Sequence, residues 1–328
     1  MNSKVLNPSR KIVVIVNPAA CRGRNGSKVS MLHDALEMAA RRAIEQGIHV
    51  SWSVLQTKCP GESIRTGQLV PGSGSALARA AAEDGAEIVA AAGGDGTVGD
   101  VVNGLVGSNA IAAVIPMGTG NDLARALGIG TSVTNGIDAI IFGSPRRIDL
   151  GKIGCGYFVN IAGCGFDAEV ARRVNYGFQR LRGTAAYLAA VAQTLAQFKP
   201  ADVQIEIDGK RFEHTAMLCA VANATSYGGG MRVAPEAKLD DGAFDIIVVG
   251  DVTPLEFLRA FPRVFKGTHL SHPKVYAYRG TKVTVRSSTA LPVLADGEEI
   301  GSTPVEFGIV PAGIDFMVPN HVRTGLET

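Results

Sequence analysis

The sequence predicts an α/β N-terminal domain with a parallel sheet, followed by a β-rich, sandwich-like C-terminal domain. Apolar strand patterns alternate with helix patterns over about the first 130 residues, which is typical of parallel α/β sheets. After Gly128, short strands separated by glycine turns take over, and this change indicates a β-rich unit. The chain has 328 residues, which is long enough for two domains with separate cores.

The elements of the first domain follow from its apolar runs. Buried strands are predicted at 11–16, 50–55, 87–92 and 111–115. Stretches with helical spacing follow these strands, at 29–46, 76–83, 98–105 and 123–127. The segment between Thr57 and Ser75 is rich in glycine, proline and serine, and we interpret it as a mobile surface loop that could cover a ligand.

The second domain shows short β patterns with two helices among them. Strands are predicted at 147–153, 157–162, 203–207, 217–223, 244–249, 274–279 and 281–287. Helices are predicted at 181–198 and 254–265. Asp208-Gly209 stands between two β patterns and predicts a hairpin turn. We therefore expect a first domain at 1–130 and a second at 131–308.

Two glycine-rich loops each connect a predicted strand to a predicted helix. They are Gly93-Gly94-Asp95-Gly96-Thr97 and Gly118-Thr119-Gly120-Asn121-Asp122. Glycine lets the backbone of such a turn approach a ligand closely. The following helix directs unpaired N–H groups and its positive dipole end at the loop, which favours phosphate. Two such loops on successive strands indicate a nucleotide, and the aspartate in each suggests a hydrated magnesium ion.

Alternative interpretations exist for these polar motifs. The first loop could be an ordinary strand–helix turn, but Asp95 argues against this, because its charge would repel phosphate unless a cation or a hydroxyl group mediates. From the residues alone, Asp240-Asp241-Gly242 is best explained as a hairpin turn, since Asp-Gly is the commonest such signal. Asp296-Gly297-Glu298 likewise has the composition of a turn between strands.

Six motifs occur in the order found in one known family. They are Asn17-Pro18; Gly93 to Thr97 with Asn103-Gly104; Pro116 to Arg125; Asn160 to Asp167; Ala234 to Gly242; and Asp296-Gly297-Glu298. Together they resemble the catalytic domain of the diacylglycerol kinase and sphingosine kinase superfamily, most closely its compact soluble bacterial lipid kinases. The resemblance covers nearly the whole chain. This sequence departs from the family pattern at Asp100, where the family usually has glutamate, but the carboxylate is kept.

The resemblance implies a kinase that uses ATP and Mg²⁺ to phosphorylate a lipid hydroxyl, with diacylglycerol as the first expectation. It implies an active site in a cleft between the domains and a tail, 309–328, that returns to the first domain. The residues expected to bind the nucleotide are Asn17, Thr57, Gly93, Gly94, Asp95, Gly96, Thr97, Gly118, Thr119, Asn121 and Asp122. The expected catalytic residues are Glu298, Asp296 and Asp95.

Two of these implied roles are specific. Phosphoryl transfer to an alcohol needs a carboxylate that accepts the hydroxyl proton. Glu298 is the first choice for this base and Asp296 is the second. A magnesium ion is expected on the carboxylate of Asp241, with help from backbone carbonyl groups near Lys238 and Ala243, because a hard cation prefers oxygen ligands.

Charge, cysteine content and hydropathy limit the expected partners and location. Lysine and arginine number 32 against 30 aspartate and glutamate, so no nucleic-acid partner is expected. Five cysteines without paired spacing argue against a disulfide framework, and no apolar run reaches the ~18 residues of a transmembrane helix. We expect a cytoplasmic, peripherally membrane-associated protein that meets its lipid substrate at the membrane surface. Arg172-Arg173 and Arg180 to Arg182 are the basic clusters considered for contact with anionic lipid.

The sequence alone leaves two other functions open. A kinase of the same fold that acts on a soluble acceptor, such as a nicotinamide dinucleotide, would share the Gly-Gly-Asp-Gly-Thr motif, although the later acidic motifs favour a lipid. A non-catalytic lipid-binding regulator would have no use for a base beside phosphates, so the retained carboxylates argue against it. The lipid head group and the oligomeric state, including a homodimer, are left open.

Overall fold

The computed structural model describes residues 10–18, 25–61, 63–176 and 184–320, and the chain divides into two units. Unit 1 contains the described residues up to Ser63, then Gly67–Ile148, and those from Ala312 onward. Unit 2 contains Ile64–Thr66 and Asp149–Pro311. The domain boundary expected after residue 130 therefore differs from the observed division, since residues 131–148 group with unit 1.

The elements are, in chain order, β1 (Arg10–Val16), α1 (Asn25–Glu45), β2 (Val50–Gln56), α2 (Ser63–Thr66), α3 (Gly74–Glu83), β3 (Ile88–Gly93), α4 (Asp95–Leu105), β4 (Ile111–Pro116), α5 (Asp122–Ala126), α6 (Val133–Phe142), β5 (Ser144–Ile153), β6 (Gly156–Phe158), β7 (Ile161–Gly165), α7 (Phe166–Tyr176), α8 (Thr184–Gln197), β8 (Ala201–Ile207), β9 (Lys210–Ala222), β10 (Phe244–Gly250), α9 (Pro254–Val264), a 3₁₀ helix (Thr268–Ser271), β11 (Val275–Gly280), β12 (Lys282–Ser287), β13 (Pro292–Ala295), β14 (Glu298–Ser302) and β15 (Val305–Val318).

Unit 1 is built on a parallel sheet, as the sequence predicts. Its strand order is β2-β1-β3-β4, and the end of β15 pairs parallel with β4 through Phe316 and Ala112. Every residue of β3 is buried, which is expected of a parallel strand covered on both faces. α1 contributes Leu32 and Leu36 to this core, and α6 contributes Ile137. The sheet is thus a buried platform whose loops emerge at its ends.

Helix α6 is absent from the sequence prediction for a physical reason. Its β-branched residues and Gly136 have low helix propensity, but burial of its apolar side chains outweighs that preference. A Cβ atom on Gly136 would lie 2.7 Å from the carbonyl oxygen of Val114. Glycine at this position therefore allows α6 to lie directly against β4.

The segment between residues 57 and 75 is only partly a surface loop. It contains the short helix α2, whose Ile64 side chain is 1% exposed and packs in the core of unit 2 with Ile153 and Phe158. Ser73 is also buried, and its hydroxyl group accepts a hydrogen bond from the Ala76 N–H at the start of α3. The surface-loop prediction is wrong for these residues, because a polar stretch can still bury its few apolar and capping side chains.

Unit 2 is β-rich, and the neighbours in its main strand order pair antiparallel. The strand order is β14-β13-β7-β9-β8-β12-β15, and β10 pairs with both β9 and β11. The predicted turn at Asp208-Gly209 joins β8 to β9, with φ angles of 47° and 83°. Phe158 stacks on Phe244 at 5.7 Å and meets Phe307 edge-on at 6.2 Å. These three rings form the centre of the core of unit 2.

Candidate active site

The carboxyl ends of the parallel strands in unit 1 carry the residues expected to bind a nucleotide. Asn17 follows β1, Thr57 follows β2, Gly93 ends β3, and Gly118 lies just beyond β4. In the strand order β2-β1-β3-β4, β1 lies between β2 and β3, so the chain adds β2 on one side of β1 and then β3 on the other side. Ligands of open α/β sheets bind outside the carboxyl ends at such a switch point.

The two glycine loops contact each other at this edge. The N–H group of Gly118 donates to the carbonyl oxygen of Gly93 at 3.1 Å. A Cβ atom on Gly118 would lie 2.4 Å from the Cα atom of Gly94, so any larger residue would separate the loops. Asn17 Nδ2 donates to Thr97 Oγ1 at 3.2 Å and ties the end of β1 to the first turn of α4.

Helix α4 is the element of this edge that is suited to an anion. Gly94 is its N-cap and offers no capping side chain, and the first N–H groups of a helix have no partner within it. The positive end of the helix dipole lies at the same position. The eleven-residue helix α4 therefore presents a phosphate-compatible terminus beside the hydrogen bond between Asn17 and Thr97.

Asp95 links the two loops. Its Oδ1 atom accepts a hydrogen bond from the Leu123 N–H at the start of α5, at 3.1 Å. Burial raises the pKa of Asp95, and the charge of Asp122 adds to the rise, although backbone N–H groups of 121–123 oppose it. The carboxylate is thus already engaged in holding α5 against α4, which the sequence did not indicate.

The second loop closes on itself through Asn121. This residue has a left-handed backbone with φ of 53°, and its side chain both accepts from Gly118 N–H and donates to Gly118 carbonyl oxygen, each at 3.0 Å. Asp122 is buried and lies 3.8 Å from Arg125. Thr119, by contrast, is exposed at the tip of the loop.

The acidic turn between β13 and β14 separates the two residues considered as the base. Asp296 is buried, and its carboxylate accepts from the N–H groups of Val159 at 2.6 Å, Asn160 at 2.9 Å and Ile161 at 3.2 Å. These bonds fix the turn to the start of β7, so Asp296 has a structural role. Glu298 is half-buried and begins β14, opposite Ala295.

The loop expected to hold magnesium is stabilised by protein contacts. Asp241 pairs with Arg279, and its other carboxylate oxygen accepts from the Ala243 N–H at 3.3 Å. Lys238 is exposed. Within the described residues no cluster of three His, Cys, Asp or Glu side chains is arranged to hold a metal. Magnesium would bind the Asp241 carboxylate only in place of its ion pair with Arg279, with backbone carbonyl groups and water among the other ligands.

Unit 2 contains an apolar cavity with one carboxyl group in its wall. Phe166, Val170, Val191, Leu218, Ile247, Val249, Val252 and Phe257 are among its apolar lining residues. Asp167 also lines it and accepts hydrogen bonds from the Tyr227 hydroxyl group at 3.2 Å and from the Ala168 N–H at 2.8 Å. Burial raises the pKa of Asp167 to about 6, although these hydrogen bonds lower it in part. A carboxyl group in such surroundings is a functional-site candidate.

Models of two known domains match this chain. The diacylglycerol kinase catalytic domain matches residues 11–153, and the YegS C-terminal NAD kinase beta sandwich-like domain matches residues 160–318. A diacylglycerol kinase of Bacillus subtilis is 36% identical over 244 residues, which cover 74% of this chain and 80% of that protein. One of Staphylococcus saprophyticus is 33% identical over 243 residues, with the same coverage. The chain belongs to the diacylglycerol kinase family.

The fold of this family member agrees with a solved structure. The crystal structure of a diacylglycerol kinase from Bacillus anthracis superposes with a TM-score of 0.69 and covers 95% of this chain and 98% of that one. The sequences are 21% identical, so this similarity concerns the fold. The family membership and the α/β plus β-rich architecture that the motifs suggested are both confirmed.

Sequence reasoning assigned no role to three acidic residues, Asp100, Asp149 and Asp167. Asp100 is buried and accepts from Ser63 Oγ at 3.0 Å, which anchors the segment before α3 onto α4. Asp149 is buried and accepts from the Gly242 N–H at 2.7 Å, which orients the Asp241 loop. Asp167 lies in the cavity wall. The available signal for Asp149 was a lone carboxylate within a buried strand, which is costly without a partner.

Proposed function

We propose that this protein transfers the γ-phosphoryl group of ATP to the hydroxyl group of diacylglycerol. Membership of a kinase family supports ATP as the phosphoryl donor, and the names of the relatives suggest the acceptor. The observation that carries the assignment to a lipid is the apolar cavity in unit 2, since its aromatic and aliphatic lining can remove acyl chains from water.

The cavity supplies what a lipid acceptor requires. Burial of an acyl chain is favourable by a free energy of roughly 25 cal/mol per Å² of apolar surface removed from water. The cavity walls around Phe166 and Leu218 can bury such a surface. Asp167 and Tyr227 are the hydrogen-bonding pair in this wall, and we propose that they contact the polar glycerol part of the substrate. A carboxyl group retained where its charge is disfavoured supports a role of this kind.

The nucleotide is proposed to bind at the carboxyl edge of the sheet in unit 1. The N–H groups at the start of α4 would bind phosphate oxygens, and the contact between Gly94 and Gly118 leaves no side chain in the way. Asn17 orients the Thr97 hydroxyl group at this edge. Magnesium bound with the nucleotide would neutralise phosphate charge. In unit 2, Asp241 is the carboxylate proposed to hold a magnesium ion.

We propose Glu298 as the group that accepts the hydroxyl proton. The acceptor oxygen attacks the γ-phosphorus, an oxygen–phosphorus bond forms, and the bond to the bridging oxygen of ADP breaks. The hydroxyl proton passes to the Glu298 carboxylate. Asp296 is unsuited to this step because three backbone N–H groups occupy its oxygens, and its role is to hold the turn that presents Glu298.

A lipid acceptor requires contact with a membrane surface. Among the residues that the structure describes, no helix combines the length and apolar character needed to cross a bilayer. We propose peripheral association with the membrane.

Two isosteric variants test the proposed chemistry. Glu298→Gln should lower kcat by roughly 10² to 10⁴, the usual contribution of a positioned base, and should leave ATP affinity and the free energy of unfolding near those of the wild type. Asp296→Asn should instead lower the free energy of unfolding and leave kcat of the folded enzyme near that of the wild type. It places an NH₂ group against the Val159 N–H, which should cost about 1–3 kcal/mol of stability. Unaltered kcat in a folded Glu298→Gln enzyme would exclude Glu298 as the base.

A further inference from the structure

Helix α9 presents an unusual apolar surface to solvent. None of its residues is buried. Leu255 is 56% exposed, Leu258 is 58% exposed, and Phe265, just after the helix, is 49% exposed. At 100° per residue these three side chains project within an arc of about 80° on one side of the helix. Pro262 lies in the same arc and is also exposed.

The opposite side of α9 lines the apolar cavity. Phe257, Ala260, Phe261 and Val264 all belong to the cavity wall. The helix is therefore apolar on its cavity side and on its solvent side, and it is the layer between the two. A helix that served only to cover the cavity would be expected to have polar residues on its outer side.

Positive charge flanks the exposed apolar arc. Arg259, Arg263 and Lys266 are all exposed and follow the apolar arc around the helix. The acidic residue of α9, Glu256, forms an ion pair with Lys274 at 3.0 Å and accepts a hydrogen bond from the Thr253 N–H at 2.7 Å. We call the three apolar residues Leu255, Leu258 and Phe265, together with these three cations, the α9 face. Apolar side chains beside a basic strip are typical of helices that lie in an anionic membrane interface.

The basic residues singled out in the sequence are less available for such contact. Arg172 and Arg173 both pair with Glu169, with nitrogen–oxygen distances of 2.9 Å. The cluster from Arg180 to Arg182 lies outside the described residues. The cations of α9 thus combine exposure with adjacent exposed apolar side chains.

We propose that the α9 face docks on an anionic lipid surface, with its apolar side chains in the acyl boundary, and so brings the cavity next to the substrate. The inference rests on the proposed lipid substrate. A second copy of the chain is a poorer occupant, because a two-fold contact pairs a patch with itself and would bring Arg259, Arg263 and Lys266 of both copies together. A membrane that carries anionic phosphate groups matches the same charges.

Vesicle sedimentation without ATP tests the docking. The probes are phosphatidylcholine vesicles with and without phosphatidylglycerol. Wild-type protein should bind the anionic vesicles more tightly, and added salt should weaken the binding. Leu255→Glu/Leu258→Glu should lower the partition coefficient at least about tenfold. Arg259→Gln/Lys266→Gln should lower it on anionic vesicles, with little change on phosphatidylcholine alone.

Matched controls isolate the α9 face. Met31→Glu/Met38→Glu changes two methionines of α1 that are 64% and 69% exposed, and Lys210→Gln/Arg211→Gln removes two exposed cations from β9. Both should bind like the wild type, and thermal midpoints of all variants should be similar, because the changed side chains are exposed. Equal loss in the matched controls, or vesicle binding by Leu255→Glu/Leu258→Glu equal to wild type, would overturn the docking site.

A soluble substrate separates docking from chemistry. With dioctanoylglycerol dispersed below its aggregation limit, Leu255→Glu/Leu258→Glu should phosphorylate within about twofold of the wild-type rate, because its defect is in reaching the membrane. Vesicle binding without phosphorylation of any diacylglycerol would support docking and overturn the proposed function. The docking proposal would be overturned if wild-type protein did not bind vesicles and sedimented as a dimer while Leu255→Glu/Leu258→Glu sedimented as a monomer. The α9 face would then be a subunit interface.

Discussion

The cavity carboxyl group of Asp167 makes stability depend on pH in a defined direction. Its pKa rises from 3.8 to about 6 in the folded protein because burial disfavours its charge. A folded-state pKa above the unfolded value means that the folded protein binds the proton more tightly. The resulting stabilisation is fully present below about pH 4 and is lost as pH rises through about 6.

The magnitude follows from the shift. About two pKa units correspond to about 3 kcal/mol, and we expect about 2–3 kcal/mol because the side chain is half-buried. Asp167→Asn cannot ionise, while its amide can keep hydrogen bonds to Ala168 N–H and to Tyr227. The free energy of unfolding of the wild type minus that of Asp167→Asn should therefore fall by this amount between about pH 4 and pH 7.

Urea unfolding of both proteins across this pH range measures the difference directly. Tyr227→Phe provides a second check. It removes a hydrogen bond that lowers the pKa of Asp167, so the transition should move to higher pH. A difference between wild type and Asp167→Asn that stays flat from pH 4 to pH 7 would show that the cavity does not disfavour the charge, and would refute the reasoning.

Two further predictions concern the glycine loops and the proposed metal loop. Asp95→Asn keeps an oxygen that can accept from the Leu123 N–H, so the variant should fold. Loss of the charge should reduce phosphoryl transfer by about a hundredfold or more. Wild-type turnover in the folded variant would exclude an electrostatic role for Asp95. Asp241→Ala should raise the magnesium concentration needed for activity and reduce the effect of magnesium on the thermal midpoint. Identical magnesium titrations for the variant and the wild type would exclude Asp241 as a magnesium ligand.

The sheet of unit 1 could be predicted from sequence because its strands are continuous apolar runs. β3 and β4 fall within one residue of their predicted bounds, since burial on both faces leaves no ambiguity in the pattern. α6 could not be predicted in the same way. Glycine and β-branched residues weaken the helix signal of α6, and the contacts that outweigh it come from distant strands.

The contacts of the candidate site residues could not be predicted from the sequence either. The motifs gave the residue types at the strand ends, but not what each carboxylate contacts. Asp296 and Glu298 are two positions apart and equally acidic, and the N–H groups that distinguish them come from residues 159–161. Asp95 engages the start of α5, 28 residues away along the chain. Such contacts depend on the three-dimensional fold, so sequence spacing alone could not reveal them.

The measurement that tests the central claim most directly is transfer of labelled phosphate from ATP to defined acceptors. Purified wild-type protein is incubated with γ-labelled ATP and, in parallel, with dispersed diacylglycerol, glycerol or a nicotinamide dinucleotide, and the labelled product is identified by mass. We predict that the label appears in phosphatidate, in the diacylglycerol reaction, and that Glu298→Gln abolishes most of it. Label in the dinucleotide with none in the lipid, or no transfer to any acceptor, would contradict the proposal of a lipid kinase.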